Sequence, residues 1–467
     1  MAVSTSNNAN GPAVSGSSIE DQLEQMPVGR THWKIIITLG LGLFFDLYGI
    51  FLSGSIGVAL TSNFELSEGP ALSILAAVTF FGMFLGSVFL GGLADKIGRR
   101  RAFLLNLVWF SLWSVVAAFS PTFWFLIIIR GLAGVGLGAL YPVADSYLQE
   151  ILPKEHRGWL ASWTYTISFL AVPLVGFLAI LLNGAEFLGG TGWRWLLALG
   201  GIGGLLVLLL RHNLVESPRW LAAQGRAEEA KAALQVFADG SEVKLLPVLA
   251  LESAPCQAQR RRFWRARWKS LSRPLYRKRM VMLVVFHLFQ TFGYFGFGTL
   301  AMLVLLSRGQ TVTNSLLFIS LSFLGYPTGS LISTPLIQLI ERKTLLIGSV
   351  IMMAAFGMAF AISTDATLII AFGFLLALTN NVFSNVYHIY QAEIFPTESR
   401  ATAIGWSYSV SRLSSAALPF ILLPVLHAWG PVAAFSLVAV ALLIACAAIG
   451  FLGPRTSGRP LAEISPL

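Results

Sequence analysis

Glu150-Ile-Leu-Pro153-Lys-Glu155-His-Arg157 returns later in the chain as Glu393-Ile-Phe-Pro396-Thr-Glu398-Ser-Arg400. Glu, Ile, Pro, Glu and Arg recur at an offset of 243 residues, the difference between 393 and 150. The same offset carries Asp95-Lys-Ile-Gly98-Arg99-Arg100 onto Gln338-Leu-Ile-Glu341-Arg342-Lys343, which keeps both terminal cations and loses the Asp and the Gly. The chain therefore reads as two copies of one half, in the same direction, with decayed identity.

Working outward, the surroundings of both copies are strongly apolar. Of 467 residues 55% are hydrophobic and 12% charged, which excludes a soluble protein of this length and predicts a polytopic membrane protein. Runs long enough to span lie at 34–60, 71–93, 102–119, 123–149, 159–182, 193–211, 279–306, 313–340, 343–362, 366–392, 401–425 and 430–452. These twelve runs place six on each side of a long polar segment. The fold predicted is all-α: twelve membrane helices in two parallel-repeat sets of six. Parallel repeats of this kind suit a carrier that rocks one half against the other. Gly131, Gly134, Gly136 and Gly138 in the fourth run read as close helix packing.

Basic residues set the orientation. Arg99 to Arg101, Lys154 and Arg157, the whole 212–278 stretch, Arg342 and Lys343, and Arg400 fall on one side, and the loops at 61–70, 119–122, 183–192, 363–365 and 426–429 carry no Lys or Arg. Arg194 and Arg308 are the exceptions. The positive-inside rule makes both termini and the central segment cytoplasmic. The division expected is a disordered N-terminus at 1–30, bundles at 31–211 and 278–453, a central segment at 212–277 and a tail at 454–467. A net charge of +10 and the run from Arg260 to Lys269, with its interleaved Phe and Trp, could suggest nucleic acid. Beside membrane spans they fit a topology signal and contact with anionic lipid better, so no nucleic-acid partner is expected. The first run follows Glu20, Asp21 and Glu24 rather than a basic leader, so no signal peptide is expected. Cys256 and Cys446 fall too far apart in topology to pair, and neither a disulfide, a metal site nor a cofactor is expected. After the sixth run, Ser217 and Pro218 suit the cap and first position of an amphipathic helix over about 219–237.

Gly91-Gly-Leu-Ala-Asp95-Lys-Ile-Gly98-Arg99-Arg100, Arg130-Gly-Leu-Ala-Gly134, Gly192-Trp193-Arg194-Trp195, Glu216-Ser-Pro-Arg-Trp-Leu221 and Glu393-Ile-Phe-Pro-Thr397 together resemble motifs of the major facilitator superfamily. The likeness is to its sugar-porter, organic-ion and aromatic-acid:proton symporter branches, over about 30–455. It implies an all-α membrane protein of two six-helix bundles around a central cavity, alternating access by rocking, and a monomer. It does not imply the cargo, since one fold serves many.

Asp95, Arg99, Arg100, Glu150, Arg157, Glu393 and Arg400 lie at helix ends on the cytoplasmic face. They are the candidate gate: their pairing across the halves would seal that face, whereas topology alone would need no acids. Within the membrane an ionisable group is a functional candidate by default. At 1.5 Å per residue Asp46 lies about 18 Å from the inner face and Arg130 about 12 Å from the outer face of a ~30 Å core, hence at one depth. A pair there would let Asp46 ionise, and withdrawal of Arg130 would drive it to take a proton; a purely structural pair is the alternative. Relatives in the resembling branches carry an acid in the first helix, and many carry a second Asp where this chain has Gly49.

The matching second-half positions, Phe289 and Gly373, cannot ionise, so coupling would belong to the first half. Arg412 lies about 18 Å deep with no acid in its own run. Val410-Ser-Arg412-Leu-Ser resembles organic-anion carriers, which implies a carboxylate cargo; pairing with backbone carbonyls or an internal acid is the alternative. Further cavity candidates are His287 and Gln290 beside the glycine-rich Gly293-Tyr-Phe-Gly296-Phe-Gly298, the stripe of Asn381, Asn385 and His388, and the aromatics Tyr48 and Trp163. The seventh run lacks the amides that sugar porters use, which counts against a sugar. The function expected is a proton-coupled symporter of a small organic anion; a sugar or polyol porter or a proton-driven drug exporter is the alternative. Nothing in the spans arranges a nucleophile with a base, which counts against an enzyme. Short loops point to a bacterial inner membrane.

Overall fold

In the computed structural model the residues described are 18–64, 68–91, 93–153, 156–182, 186–187, 190–243, 245, 272–309, 311–395 and 400–456. The first half contains α1 (Arg30–Asn63), α2 (Glu68–Phe89), α3 (Arg99–Ala118), α4 (Phe123–Ile151), α5 (Arg157–Phe169 continued by Ala171–Leu182) and α6 (Gly192–Val207). The second contains α7 (Pro274–Tyr294 continued by Gly296–Ser307), α8 (Val312–Phe323 continued by Gly325–Leu339), α9 (Arg342–Ile362) and α10 (Ala366–Glu393). The last helical stretch, Arg400–Leu452, is α11 and α12 joined at Gly430, whose φ of 81° and ψ of −179° are not helical. Among the described residues ten helical stretches are long and apolar enough to cross a membrane, the last of them holding both α11 and α12, and α2 adds a shorter apolar helix over Ser73–Phe89, so the chain is a multi-pass integral membrane protein. A two-residue hairpin, β1 (Glu186–Phe187) with β2 (Gly190–Thr191), precedes α6.

Glycine brings the first-half helices together. A Cβ at Gly138 would stand 1.9 Å from the Met83 carbonyl, and one at Gly86 would stand 1.9 Å from that of Val135, so α2 and α4 touch backbone to backbone. A Cβ at Gly136 would instead meet α3, 2.9 Å from the Asn106 carbonyl. Between the halves, α2 packs against the Arg400–Leu452 pair and α5 against α8.

On the basic face, Gly98 adopts φ 102°, where an L side chain is disfavoured, and a Cβ there would stand 2.3 Å from Glu216 Oε2. This lets the Glu216 carboxylate accept from the backbone N–H groups of Arg99 (2.8 Å) and Arg100 (3.1 Å), a charged cap on α3. Ser217 caps a short helix, Pro218–Ala223, as expected. The expected single helix over 219–237 is instead two, Pro218–Ala223 and Ala227–Ser241, because Gly225 turns the chain at φ 73°. The expected disorder over 1–30 is also corrected in part. Ile19–Gln25 is a helix opened by a Ser18–Asp21 capping box, and burial of Ile19 and Leu23 holds it.

Candidate functional site

The centre lies where α1, α4 and α5 of one half meet α7, α8, α10 and α11 of the other. Phe51 stands edge-on to Phe323 (5.5 Å) and Tyr326 (5.6 Å), and Phe80 to Phe295 (4.8 Å). An apolar cavity of about 80 Å³ opens between Ser53, Gly54, Phe80, Phe295 and Pro419.

Asp46 is fully buried, and neither carboxylate oxygen has a hydrogen-bond partner. The expected pair with Arg130 is not formed. Arg130 Nη2 donates to the Gly49 carbonyl (2.7 Å) and Ser53 Oγ (2.9 Å), leaving Nε and Nη1 unpartnered. The reason is the direction of the side chains. A helical Cα–Cβ bond tilts toward its own N-terminus, and α1 and α4 run oppositely. Two residues at one depth therefore diverge, Arg130 toward the face opposite the basic one and Asp46 away from it. Arg412, across the halves, lies within electrostatic reach of Asp46, with no hydrogen bond between them.

Arg412 is 2% exposed. Its Nη2 donates to Tyr408 Oη at 2.6 Å, its guanidinium lies 4.8 Å from the Tyr408 ring and 5.6 Å from that of Phe295, and Nε is unpartnered. Tyr294 and Tyr387 also lie within its electrostatic reach. The arrangement is a buried cation with a free N–H in an aromatic box, faced by a carboxylate without hydrogen bonds. Burying these polar atoms without partners is costly, and the site leaves one cationic donor and one carboxylate open to a further partner.

His287 is buried, bonded through Nε2 to Gln391 Oε1 at 3.1 Å, with its ring edge-on to Tyr408 at 5.8 Å. Gln290 is buried, with Oε1 unpartnered. Asn381 bonds the Tyr326 carbonyl and Asn385 bonds Ser330 Oγ (3.0 Å) and Ser333 Oγ (2.7 Å), so this stripe fastens α10 to α8. Ser330 in turn receives a bond from Thr166 of α5 at 2.9 Å. Two aromatic candidates lie elsewhere. Tyr48 donates to the Leu196 carbonyl at 2.9 Å, and its ring fills the space beside Gly200, inside the first half. Trp163 sits 6.2 Å from Trp33 and 6.4 Å from Trp159, an indole cluster on the α1–α5 seam. Both are packing residues, since helical aromatics bury against whichever neighbour their face meets.

At the basic face Arg99 pairs with Glu150 at 2.8 Å and Arg342 with Glu393 at 3.1 Å, each inside one half. Arg100 Nη2 bonds the Arg211 carbonyl, and Arg157 lies 4.0 Å from Glu24, which also holds Arg219 at 3.2 Å. The side chains of Asp95 and Arg400 and all of Cys256 lie outside the described residues.

Sequence reasoning missed Asp145. It is an acid inside the fourth run, findable by the rule that singled out Asp46. It receives the Tyr165 hydroxyl and stands 3.3 Å from His388 Nδ1 of the other half. Tyr408, one turn from Arg412 on the same face, was legible from i, i+4 spacing.

Comparison with known proteins agrees with the fold. The profile of the sugar (and other) transporter family matches residues 35–467. The inner membrane metabolite transport protein YgcS of Escherichia coli is 30% identical over 446 residues, covering 94% of this chain and 95% of that one. The niacin transporter NiaP of Acinetobacter baylyi is 28% identical over 449 residues, covering 95% and 98%. The solved structure of the xylose transporter XylE from E. coli in a partially occluded inward-open conformation superposes with a TM-score of 0.70 at 20% identity, covering 92% and 99%. The chain belongs to the sugar (and other) transporter family, and it shares its fold with XylE, a protein of the major facilitator superfamily.

Proposed function

We propose that this transporter is a proton-coupled symporter of a small organic anion, working by alternating access. The observation that carries the reading is two unequal groups within electrostatic reach across the halves: Arg412 with an unpartnered Nε in an aromatic box, and Asp46 with no hydrogen bond at all. A carboxylate cargo would take the free donor of Arg412, with Tyr294, Tyr387 and Tyr408 around its body and His287 and Gln290 beside it. Arrival of that anion competes with Asp46 for the cation, so Asp46 takes up a proton as cargo binds. The relative named as a niacin transporter supports this cargo class, because niacin is an aromatic carboxylate.

Arg130 holds α1 at Gly49 and Ser53 and so sets where Asp46 stands. The basic-face charges Asp95, Arg99, Arg100, Glu150, Arg157, Glu393 and Arg400 form the gate that closes when cargo enters from the opposite side. The protein acts as a monomer in a bacterial inner membrane, with both termini cytoplasmic and its basic segment against anionic lipid.

The test is transport by purified protein in liposomes. Arg412→Ala should abolish carboxylate counterflow, with the loss of a charge-assisted hydrogen bond weakening binding roughly ten- to a hundred-fold. Asp46→Asn should keep counterflow and lose accumulation driven by a pH gradient. Unchanged carboxylate affinity in a folded Arg412→Ala protein would end the anion reading and leave the sugar porter or drug exporter.

A further inference from the structure

His388 of α10 has one ring nitrogen placed between two partners that need opposite things from it. Nδ1 stands 3.3 Å from Asp145 Oδ2 in α4, across the halves, and 3.4 Å from Gln391 Nε2, one turn along its own helix. A carboxylate oxygen accepts and an amide N–H donates, so Nδ1 satisfies Asp145 only with a hydrogen on it and Gln391 only without one. The Gln391 amide turns its Oε1 to His287 Nε2 at 3.1 Å, an arrangement in which that nitrogen carries a hydrogen, and its Nε2 to His388. Asp145 is itself held by the Tyr165 hydroxyl of α5. The imidazole is clamped between rings, 4.3 Å from Tyr387, 5.7 Å from Tyr165 and 6.2 Å from Tyr141, so it is oriented even where it changes partner.

We propose that Asp145 and His388 form a proton-operated latch between the halves, on the basic-face side of the cargo site and separate from Asp46. The latch is closed when His388 Nδ1 carries a hydrogen toward Asp145 and is released when that nitrogen turns to Gln391. An imidazolium always presents Nδ1–H to the Asp145 carboxylate 3.3 Å away, so acid closes the basic face. A neutral ring can leave its hydrogen on Nε2 and accept from Gln391, after which the bare nitrogen repels the carboxylate and the halves part on that side. The groups that face His388 are Tyr141 and Asp145 from α4, Tyr165 from α5, His287 from α7, Tyr387 and Gln391 from α10, and Tyr408 from α11. Through Gln391 and His287 the switch reaches Tyr408, which holds Arg412, so cargo and latch share a chain of contacts. The proposal rests on the alternating-access reading above.

The experiment measures distance rather than transport. In full-length protein with both cysteines replaced by serine, spin labels at Arg101→Cys and Leu339→Cys report the separation of the halves at the basic face; both sites are exposed. The ratio of short to long distances should be about tenfold higher near pH 5.5 than near pH 8, the worth of one charge-assisted hydrogen bond. His388→Phe keeps the stacked ring and should lose that dependence, as should Asp145→Asn. Gln391→Leu removes the competitor for Nδ1, and the pH at which the two populations are equal should rise. A purely structural histidine would not produce that shift. The latch is overturned if His388→Phe retains the parent's pH response, or if the parent shows none. A response that disappears in Asp46→Asn but persists in His388→Phe also overturns it while leaving the proposed symport standing. Parent protein that binds no carboxylate yet responds to pH through His388 would overturn the anion symport and support the latch.

Discussion

At the scale of single residues, depth and contact proved to be different quantities. Asp46 and Arg130 share a depth by rise per residue, yet the opposed directions of α1 and α4 send their side chains apart, and Arg130 settles on Gly49 and Ser53. Two tyrosines make the same distinction testable. Tyr408 supplies the acceptor that orients Arg412, so Tyr408→Phe should weaken carboxylate binding about tenfold in a direct binding assay, with little change in melting temperature. Tyr48 bonds the Leu196 carbonyl inside the first half, so Tyr48→Phe should cost about 1 kcal/mol of stability and leave affinity unchanged. A loss of affinity in Tyr48→Phe would return that ring to the cavity.

At the scale of elements, the motifs that looked like signatures turn out to be solutions to packing and capping. The fourth-run glycines let α4 lie against α2 on one face and α3 on the other. Gly138→Val should therefore cost about 1–3 kcal/mol, read as a lower melting midpoint in detergent. Gly348→Ala in α9, where a Cβ meets nothing within 4 Å, should be neutral or stabilising by up to about 1 kcal/mol. Gly98 and Glu216, far apart in the chain, are one device: the glycine leaves room and the carboxylate caps α3. Glu216→Ala should cost about 0.5–2 kcal/mol and raise amide exchange in the first turn of α3. Unchanged exchange there would remove the capping role.

At the scale of the whole molecule, the halves touch on both sides of the central charges. Phe51 meets Phe323 and Tyr326 on one side, and Asp145 meets His388 on the basic side. A rocking carrier must break one set while keeping the other. Phe51→Ala removes contacts from the first set alone, so it should shift the Arg101–Leu339 label pair several-fold toward the short distance. No shift would mean that Phe51 supports both states equally. Much of this architecture was legible in the chain. Twelve spans, two parallel halves, the buried Asp46 and Arg412 and the Ser217 cap follow from apolar run length, repeat spacing and local capping chemistry, which the bilayer and the backbone impose on any sequence. What only the tertiary structure decided was partnership: Arg412 rather than Arg130 as the charge facing Asp46, Tyr48 and Trp163 turned into the first half, and Asp145 set against His388. Those outcomes depend on the rotation and direction of each helix against its neighbours, which packing between distant segments determines and a linear pattern does not carry.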